Sequence, residues 1–181
     1  MKIPEIRFKE FSGEWKKKQI SEILTIGSGK DYKHLDKGNI PVYGTGGFML
    51  SVNKYLYDGE SVCIGRKGTI DKPMFLRGKF WTDDTLFYTH LFKGVKPKFL
   101  YYSFLQINWK KYNEASGVPS LSKKTIEVIK LKLPPLQEQK QIADILSTAD
   151  EKLEVLRAKK EKYEELKKGL LQKLLSGEVR V

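Results

Sequence analysis

The sequence predicts an α+β protein in which a globular domain of short, mostly antiparallel strands and a few helices is followed by a long C-terminal coiled-coil helix. Three observations support this prediction. The chain has 181 residues, of which 40% are hydrophobic, enough for one packed domain with an appendage. All but one of its aromatic residues precede Pro135, and apolar residues recur every seventh position beyond it. We therefore expect two domains, residues 1–134 and 135–181.

The front domain alternates short strands with turns. β-branched and aromatic residues dominate the predicted strands, which are expected at 61–64, 73–76, 85–92 and 128–133. Glycine-rich turn clusters are expected at 41–47 and 57–60. Amphipathic spacing predicts a helix over 98–112, opened by Pro97, and Ser122 is a predicted N-cap for a short helical turn at 123–127.

The back domain is predicted to be one helix from Leu136 to Ser176, because that stretch lacks proline and is rich in Lys, Glu, Leu and Ala. About 40 helical residues make a rod of roughly 60 Å, which needs a partner helix. The predicted dimer seam comprises Ile142, Leu146, Ala149, Leu153, Leu156, Tyr163, Leu166 and Leu170. Two alternatives stay open: the helix folds back on its own domain, or a capping-box pattern at 147–151 interrupts it.

Charge is concentrated in the front domain. The chain carries a formal charge of +12, of which residues 1–134 account for +11 and residues 135–181 for +1. Such an excess favours a polyanionic partner, most commonly nucleic acid. No apolar run approaches the roughly 20 residues that cross a bilayer, and 1–14 lacks a signal-peptide core, so we expect a soluble cytoplasmic protein with no membrane partner.

Basic residues at turns are the candidate DNA contacts. Arg66 and Lys67 lie between Gly65 and Gly68, directly after a predicted strand, where side chains and backbone N–H groups can both meet phosphate oxygens. A solvated hairpin tip is the alternative. The full set of predicted DNA contacts is Lys30, Lys33, His34, Tyr43, Arg66, Lys67, Lys72, Arg77, Lys79, Ser120 and Lys123.

No catalytic or metal site is predicted. Asp83 and Asp84 are adjacent, and neighbours on a strand point to opposite faces, so they are better explained as turn residues. His34 and His90 have no ligand spacing around them, and Cys63 is the only cysteine, which excludes a disulfide framework and a thiolate zinc site.

Several segments, in the right order, resemble the specificity (S) subunits of type I restriction-modification enzymes. The junction Leu-Pro-Pro-Leu-Gln-Glu-Gln at 133–139 and the C-terminal stretch 169–181 are similar to that family's conserved helical region. Segments similar to its target recognition domain lie at 7–11, 41–44, 65–70, 84–86 and 117–122. The resemblance covers essentially the whole chain, but only one of the two recognition units of a complete S subunit. Both a natural half-subunit and an excised C-terminal half would explain this size.

The resemblance implies a division of labour. This chain would read double-stranded DNA, with 1–134 as target recognition domain and 135–181 as dimerisation helix and spacer, and would itself be non-catalytic and bind no cofactor. S-adenosylmethionine, ATP and Mg²⁺ are expected on a methyltransferase (M) subunit and on a motor-nuclease (R) subunit, the latter an optional partner. A homodimer would read an interrupted palindrome. A basic coiled-coil adaptor and a compact DNA-modifying enzyme are the alternatives.

Overall fold

The chain divides into two compact units, Met1–Ala143 and Asp144–Val181. The computed structural model describes residues 7–177. The first unit contains all the strands and short helices of the described residues, and the second is helical. The predicted α+β class, with mostly antiparallel strands and a long C-terminal helix, is confirmed.

Within residues 7–177, eight strands form two sheets. The strands are β1 (Lys16–Gln19), β2 (Thr25–Ser28), β3 (Lys37–Gly44), β4 (Gly47–Val52), β5 (Tyr57–Gly65), β6 (Met74–Thr82), β7 (Leu86–His90) and β8 (Lys130–Leu133). Six of them are ordered β2-β7-β5-β6-β3-β4, and β1 pairs with β8 in a separate ribbon. All pairings are antiparallel except that of β3 with β6. The strands at 61–64, 73–76, 85–92 and 128–133 are therefore confirmed with shifted ends, whereas β1 to β4 were not predicted.

The helices are α1 (Ile20–Ile23), α2 (Pro97–Leu105), α3 (Lys123–Glu127) and α4 (Leu136–Leu175), with a 3-10 helix at Trp109–Tyr112. One face of the large sheet packs on the short helices around a core that includes Val62, Ile64 and Phe87 of the sheet and Leu100 and Phe104 of α2. Ser122 caps α3 as predicted: its hydroxyl accepts a hydrogen bond from the Thr125 N–H at 3.2 Å.

The single helix predicted over 98–112 is wrong. α2 ends at Leu105, and the chain resumes as a 3-10 helix at Trp109. The Trp109 indole is buried and donates a hydrogen bond at 2.9 Å to the Phe104 carbonyl, which also accepts from the Ile107 N–H at 3.2 Å. Burying this ring against the helix end, rather than along its side, requires the chain to turn.

The glycine-rich turn prediction at 41–47 is too broad, and the one at 57–60 is wrong. The 41–47 cluster contains only a two-residue turn, because β3 runs to Gly44 and β4 begins at Gly47. The 57–60 cluster opens β5. Gly59, with φ of +145°, pairs with Gly78 of β6, with φ of +84°, so two glycines adopt backbone angles that other residues avoid while the strands stay paired.

The first two turns of α4 belong to the globular unit. Glu138 and Gln139 have no exposed surface. Glu138 accepts two hydrogen bonds from the Arg7 guanidinium, at 2.8 and 2.7 Å, and one from the Trp15 indole at 3.2 Å. The bond to Glu138 raises the pKa of Arg7. The compact unit thus extends nine residues beyond the boundary expected at 134.

Gln139 completes this anchor. Its amide nitrogen donates to the carbonyls of Gly94 and Pro134, at 3.0 and 2.9 Å, and its amide oxygen accepts from the Lys96 N–H at 2.8 Å. Every polar atom of the side chain has a partner, so burying it carries little penalty. Its bonds join α4 to the segment that precedes α2.

The second unit is a continuous helix through 147–151, so the interruption suggested by the capping-box pattern is absent. Thr148 donates its hydroxyl to the Asp144 carbonyl instead of capping a new helix. Ile142 packs partly against the first unit's core, but the remaining predicted seam residues are exposed. The large ones, each at least 38% exposed, are Leu146, Leu153, Leu156, Tyr163, Leu166 and Leu170. Within residues 7–177, no helix is both long and apolar enough to span a bilayer.

Replacing Glu138 with alanine is expected to lower the melting temperature by at least about 5 °C, because the change leaves the Arg7 guanidinium without its buried acceptor. Thermal unfolding followed by circular dichroism measures the effect. Gln137→Ala, one position away and exposed, is the matched control and should shift the midpoint by less than about 2 °C. Equal shifts in both variants would show that the anchor does not stabilise the domain.

Candidate nucleic-acid interface

Five chain segments meet beside the turn between β6 and β7. The Lys30 N–H donates to the Thr82 carbonyl and the Asp83 N–H to the Tyr43 carbonyl, each at 2.9 Å. The Arg66 N–H donates to the Thr85 carbonyl at 2.7 Å, and the Gly68 N–H to the Pro119 carbonyl at 2.8 Å. Residues 28–30, 43–45, 66–68, 82–86 and 119–121 are thereby held together by main-chain bonds, which do not depend on the side chains that they present.

A cleft of about 560 Å³ opens on this junction. Its lining includes three of the predicted cations, Arg66, Lys67 and Lys123. Lys67 and Ser120 form an isolated antiparallel bridge, and the Leu121 N–H donates to the Arg66 carbonyl at 2.9 Å. One concave surface is thus lined by four residues that were predicted separately from two distant parts of the sequence: Arg66, Lys67, Ser120 and Lys123.

Glycines shape the basic turn. A Cβ at Gly65 would overlap the Thr69 carbonyl, so only glycine allows the chain to close this tightly after β5. Gly68 has φ of +95° and donates its N–H across to Pro119. Arg66 and Lys67 lie between them and are exposed. The turn therefore presents two cations to solvent from a backbone that the neighbouring loop supports.

The carboxylate of Glu114, next to Ser122, is already hydrogen-bonded. Glu114 accepts hydrogen bonds from the Thr125 hydroxyl and from both the N–H and the hydroxyl of Ser122, at 3.1 and 2.8 Å. These bonds lower the pKa of Glu114, the Thr125 bond having the largest effect.

The ammonium of Lys123 lies over the Phe87 ring, 5.9 Å from its centroid, at the cleft.

Four more predicted contacts lie on the other side of the β6–β7 turn. The Trp81 indole donates to the Lys30 carbonyl at 2.7 Å and meets the His34 ring edge-on at 6.0 Å. Lys30, Lys33 and His34 are all exposed. Tyr43 is half-buried in a small aromatic and aliphatic cluster, so its ring is less accessible to a ligand than the ring of an exposed tyrosine would be.

Three predicted cations do not line the cleft. Arg77 pairs with Glu60 at 4.0 Å, and Lys79 lies opposite Asp58 in the strand register, with its ammonium 5.1 Å from the Tyr55 ring. Lys72 is exposed next to Asp71, whose carboxylate binds Lys110 at 3.0 Å. Local acids thus offset these positive charges. The Arg66 guanidinium also has a local partner, because it donates a hydrogen bond to the Asp84 carbonyl at 3.3 Å. Within residues 7–177, neither Arg66 nor Lys67 forms an ion pair with a carboxylate.

Asp83 and Asp84 form a turn, as expected. The buried Asp83 carboxylate accepts hydrogen bonds from the Thr85 N–H and hydroxyl, at 3.1 and 2.6 Å, while Asp84 is exposed.

His90 is stacked on Tyr88, and burial lowers the pKa of His90. Among residues 7–177, no three His, Cys, Asp or Glu side chains are grouped as metal ligands.

Several residues at this surface were not predicted as contacts, among them Ser28, Ser122 and Phe48. Ser28 and Ser122 line the cleft but resemble any loop serine in the sequence. Phe48 is 63% exposed beside the Gly44–Gly47 turn. The signal that could have identified it is the run of three apolar residues at 48–50, which a half-buried strand with alternating faces would not contain.

Comparisons with known proteins agree with the resemblance found in the sequence. Residues 12–165 match the family described as Type I restriction modification DNA specificity domain. The type I restriction enzyme MjaVIII specificity subunit of Methanocaldococcus jannaschii is 35% identical over 127 residues, covering 67% of this chain and 27% of that protein. The type I restriction enzyme EcoprrI specificity subunit of Escherichia coli is 26% identical over 156 residues, covering 80% and 38%.

Solved structures share the fold. The type I restriction-modification S subunit from M. genitalium superposes with a TM-score of 0.72 at 19% identity, covering 93% of this chain and 48% of that one. The HsdS subunit from Thermoanaerobacter tengcongensis gives a TM-score of 0.60 at 14% identity, covering 98% and 48%. This chain therefore spans about half the length of these structures. By the match over residues 12–165, the chain belongs to the family of type I restriction modification DNA specificity domains.

Proposed function

We propose that this chain recognises a DNA sequence on behalf of a type I restriction-modification enzyme and that the cleft between the basic turn and the 119–123 loop contacts the DNA backbone. The family match and the convergence of Arg66, Lys67 and Lys123 on one surface support this function. The convergence is the observation that carries it, because three cations from two distant segments share a cleft whose lining, within residues 7–177, contains no acidic residue.

Phosphate contacts would come from basic residues on both sides of the β6–β7 turn. Arg66, Lys67 and Lys123 can neutralise phosphates, while Ser120 offers a hydroxyl of the kind that fixes register on a duplex. Lys30, Lys33 and His34, across the turn, extend the basic surface. Base edges would be read by side chains that project beyond these cations into a groove.

The chain would act without chemistry of its own. The curated relatives are named as specificity subunits of restriction enzymes, and no grouping of metal ligands occurs within residues 7–177. Methyl transfer and cleavage would then fall to an M subunit carrying S-adenosylmethionine and to an R subunit using ATP and Mg²⁺. We propose that this chain positions them on the DNA that it has bound.

Two copies would pair through the second unit. Its exposed leucines and Tyr163 form an apolar stripe that a single helix cannot bury. Antiparallel pairing about a twofold axis would place Leu146 and Leu153 of one copy against Leu170 and Tyr163 of the other. Lys160, on the same stripe, pairs with Glu164 of its own helix at 3.6 Å, so its charge needs no partner from the second copy. The paired helices would set the distance between two identical half-sites.

DNA binding should depend on the cleft cations. Arg66→Ala with Lys67→Ala is expected to weaken binding of a random-sequence 40-bp duplex by roughly 10-fold or more at 50 mM salt, because two phosphate contacts are lost. The slope of log affinity against log salt should fall by about 2. Fluorescence anisotropy of a labelled duplex measures both.

The matched control is Arg77→Ala with Lys79→Ala, which removes the same net charge from residues that face acids. It should change affinity by less than about threefold and leave the salt slope nearly unchanged. Equal effects of the two double variants would mean that binding follows net charge alone and that the cleft is not the site.

The symmetry of the DNA target tests the dimer. Sedimentation should give a mass near twice 20.9 kDa, reduced to a monomer by Leu156→Glu with Tyr163→Glu. Mapping of methylated adenines after incubation with the cognate M subunit should reveal an interrupted palindrome, because identical domains read identical half-sites. An asymmetric bipartite site, or a monomer that methylates normally, would contradict the homodimer while leaving DNA recognition intact.

A further inference from the structure

The hairpin of β3 and β4 carries the strongest feature that the cleft does not explain. Three consecutive apolar residues, Phe48, Met49 and Leu50, are 63%, 44% and 37% exposed. A strand with one buried face exposes every second side chain, so three in succession cannot be explained by packing. Contiguous exposed apolar surface, unlike scattered single residues, indicates a binding site.

A register irregularity produces this arrangement. Tyr43 pairs with Phe48, but Val42 pairs with Leu50, so Met49 has no partner on β3. The bulge turns Met49 toward the hairpin end, where its sulfur occupies the space that a Cβ on Gly44 would fill. The Tyr43 ring supports Phe48 edge-on at 6.2 Å. Bulges of this kind re-aim side chains, often next to functional sites.

The hairpin end adjoins the basic turn. The Thr45 hydroxyl lies in van der Waals range of the position that a Cβ on Gly68 would occupy, and the Asp83 N–H binds the Tyr43 carbonyl. The hairpin turn that precedes Phe48 is therefore next to the segment that presents Arg66 and Lys67. An apolar tip flanked by cations matches the chemistry of a major groove, where apolar base substituents lie between rows of phosphates.

We propose that Phe48 and Met49 contact the C5-methyl groups of thymines in the major groove and so contribute to sequence selection. This inference rests on the proposed DNA-reading function and names the residues that read. Cations on phosphates cannot distinguish one sequence from another. The thymine methyl is the one apolar group that base pairs present in the major groove, and aromatic and aliphatic side chains recognise it by contact.

A protein is the competing occupant for the same surface, because β4 is an edge strand of the sheet and an apolar edge can pair with another protein. The adjoining cations favour DNA over a protein partner. They would be left facing an apolar protein surface, whereas beside a groove they face phosphates. The two occupants predict different outcomes in the experiment below.

The test uses the full chain and duplexes that it selects from a randomised 40-bp pool at 50 mM salt. The affinity for a selected duplex is compared with that for a scrambled duplex, for the wild type and for Phe48→Ser, Met49→Ser and Val128→Ser. Val128, 61% exposed after α3, is the matched apolar control. Selected duplexes with deoxyuridine in place of thymidine, which removes only the C5-methyl, are measured in parallel.

Phe48→Ser is expected to reduce the preference for the selected duplex by about 5- to 30-fold while changing affinity for the scrambled duplex by less than twofold. Met49→Ser should act in the same direction, and Val128→Ser should have no effect. Deoxyuridine at the contacted position should reproduce the loss in the wild type and add nothing further to Phe48→Ser. Such non-additivity is the signature of a direct contact.

Three results would overturn the inference. In the first, Phe48→Ser keeps the full preference for the selected duplex. In the second, it weakens the binding of both duplexes equally. In the third, the loss of preference caused by Phe48→Ser adds fully to the loss caused by deoxyuridine at every position. If Phe48→Ser instead changes the solution mass or the retention of the M subunit with selectivity intact, the hairpin docks a protein. If the wild type selects no duplex even with the M subunit present, the proposed function itself fails, a result distinct from the other outcomes. Equal melting temperatures of the variants confirm that all of them are folded.

Discussion

The first turn of α4 is anchored by buried polar groups, and the organisation of the first unit depends on that anchor. Burying a carboxylate and an amide is costly unless each is fully hydrogen-bonded. Glu138 meets this condition through Arg7 and Trp15, and Gln139 through three backbone groups. Together they join segments near residues 7–15, 94–96 and 134 to the start of one helix. An apolar pair could fill the same space but could not specify which segments meet there.

The sequence predicts elements whose causes are local and fails where the cause is distant. α3 has its serine cap, and α4 follows a proline pair and lacks internal breakers, so both are predicted well. The error at 57–60 arises because Gly59 lies inside β5 and pairs with Gly78 of β6, a partner about 20 residues along the chain that no local pattern identifies. The break after Leu105 depends on where the Trp109 ring finds a cavity, which no local pattern contains.

The same limit applies to the candidate interface. Charge and turn placement identify Arg66 and Lys67, but their meeting with Ser120 and Lys123 depends on a bridge across more than 50 residues. Arg77 and Lys79 differ from the cleft cations because each lies opposite an acidic residue of β5. This pairing can be recognised only once the register between β5 and β6 is known. Net charge therefore indicates a polyanionic partner, while the selection among cations requires the fold.

The main-chain bonds that assemble the cleft have an evolutionary consequence. Since carbonyls and N–H groups hold the five segments together, most side chains at the surface are free to vary without loss of the scaffold. Sequence drift in these loops can thus alter what the surface contacts at a small cost in the free energy of unfolding, while the scaffold stays the same.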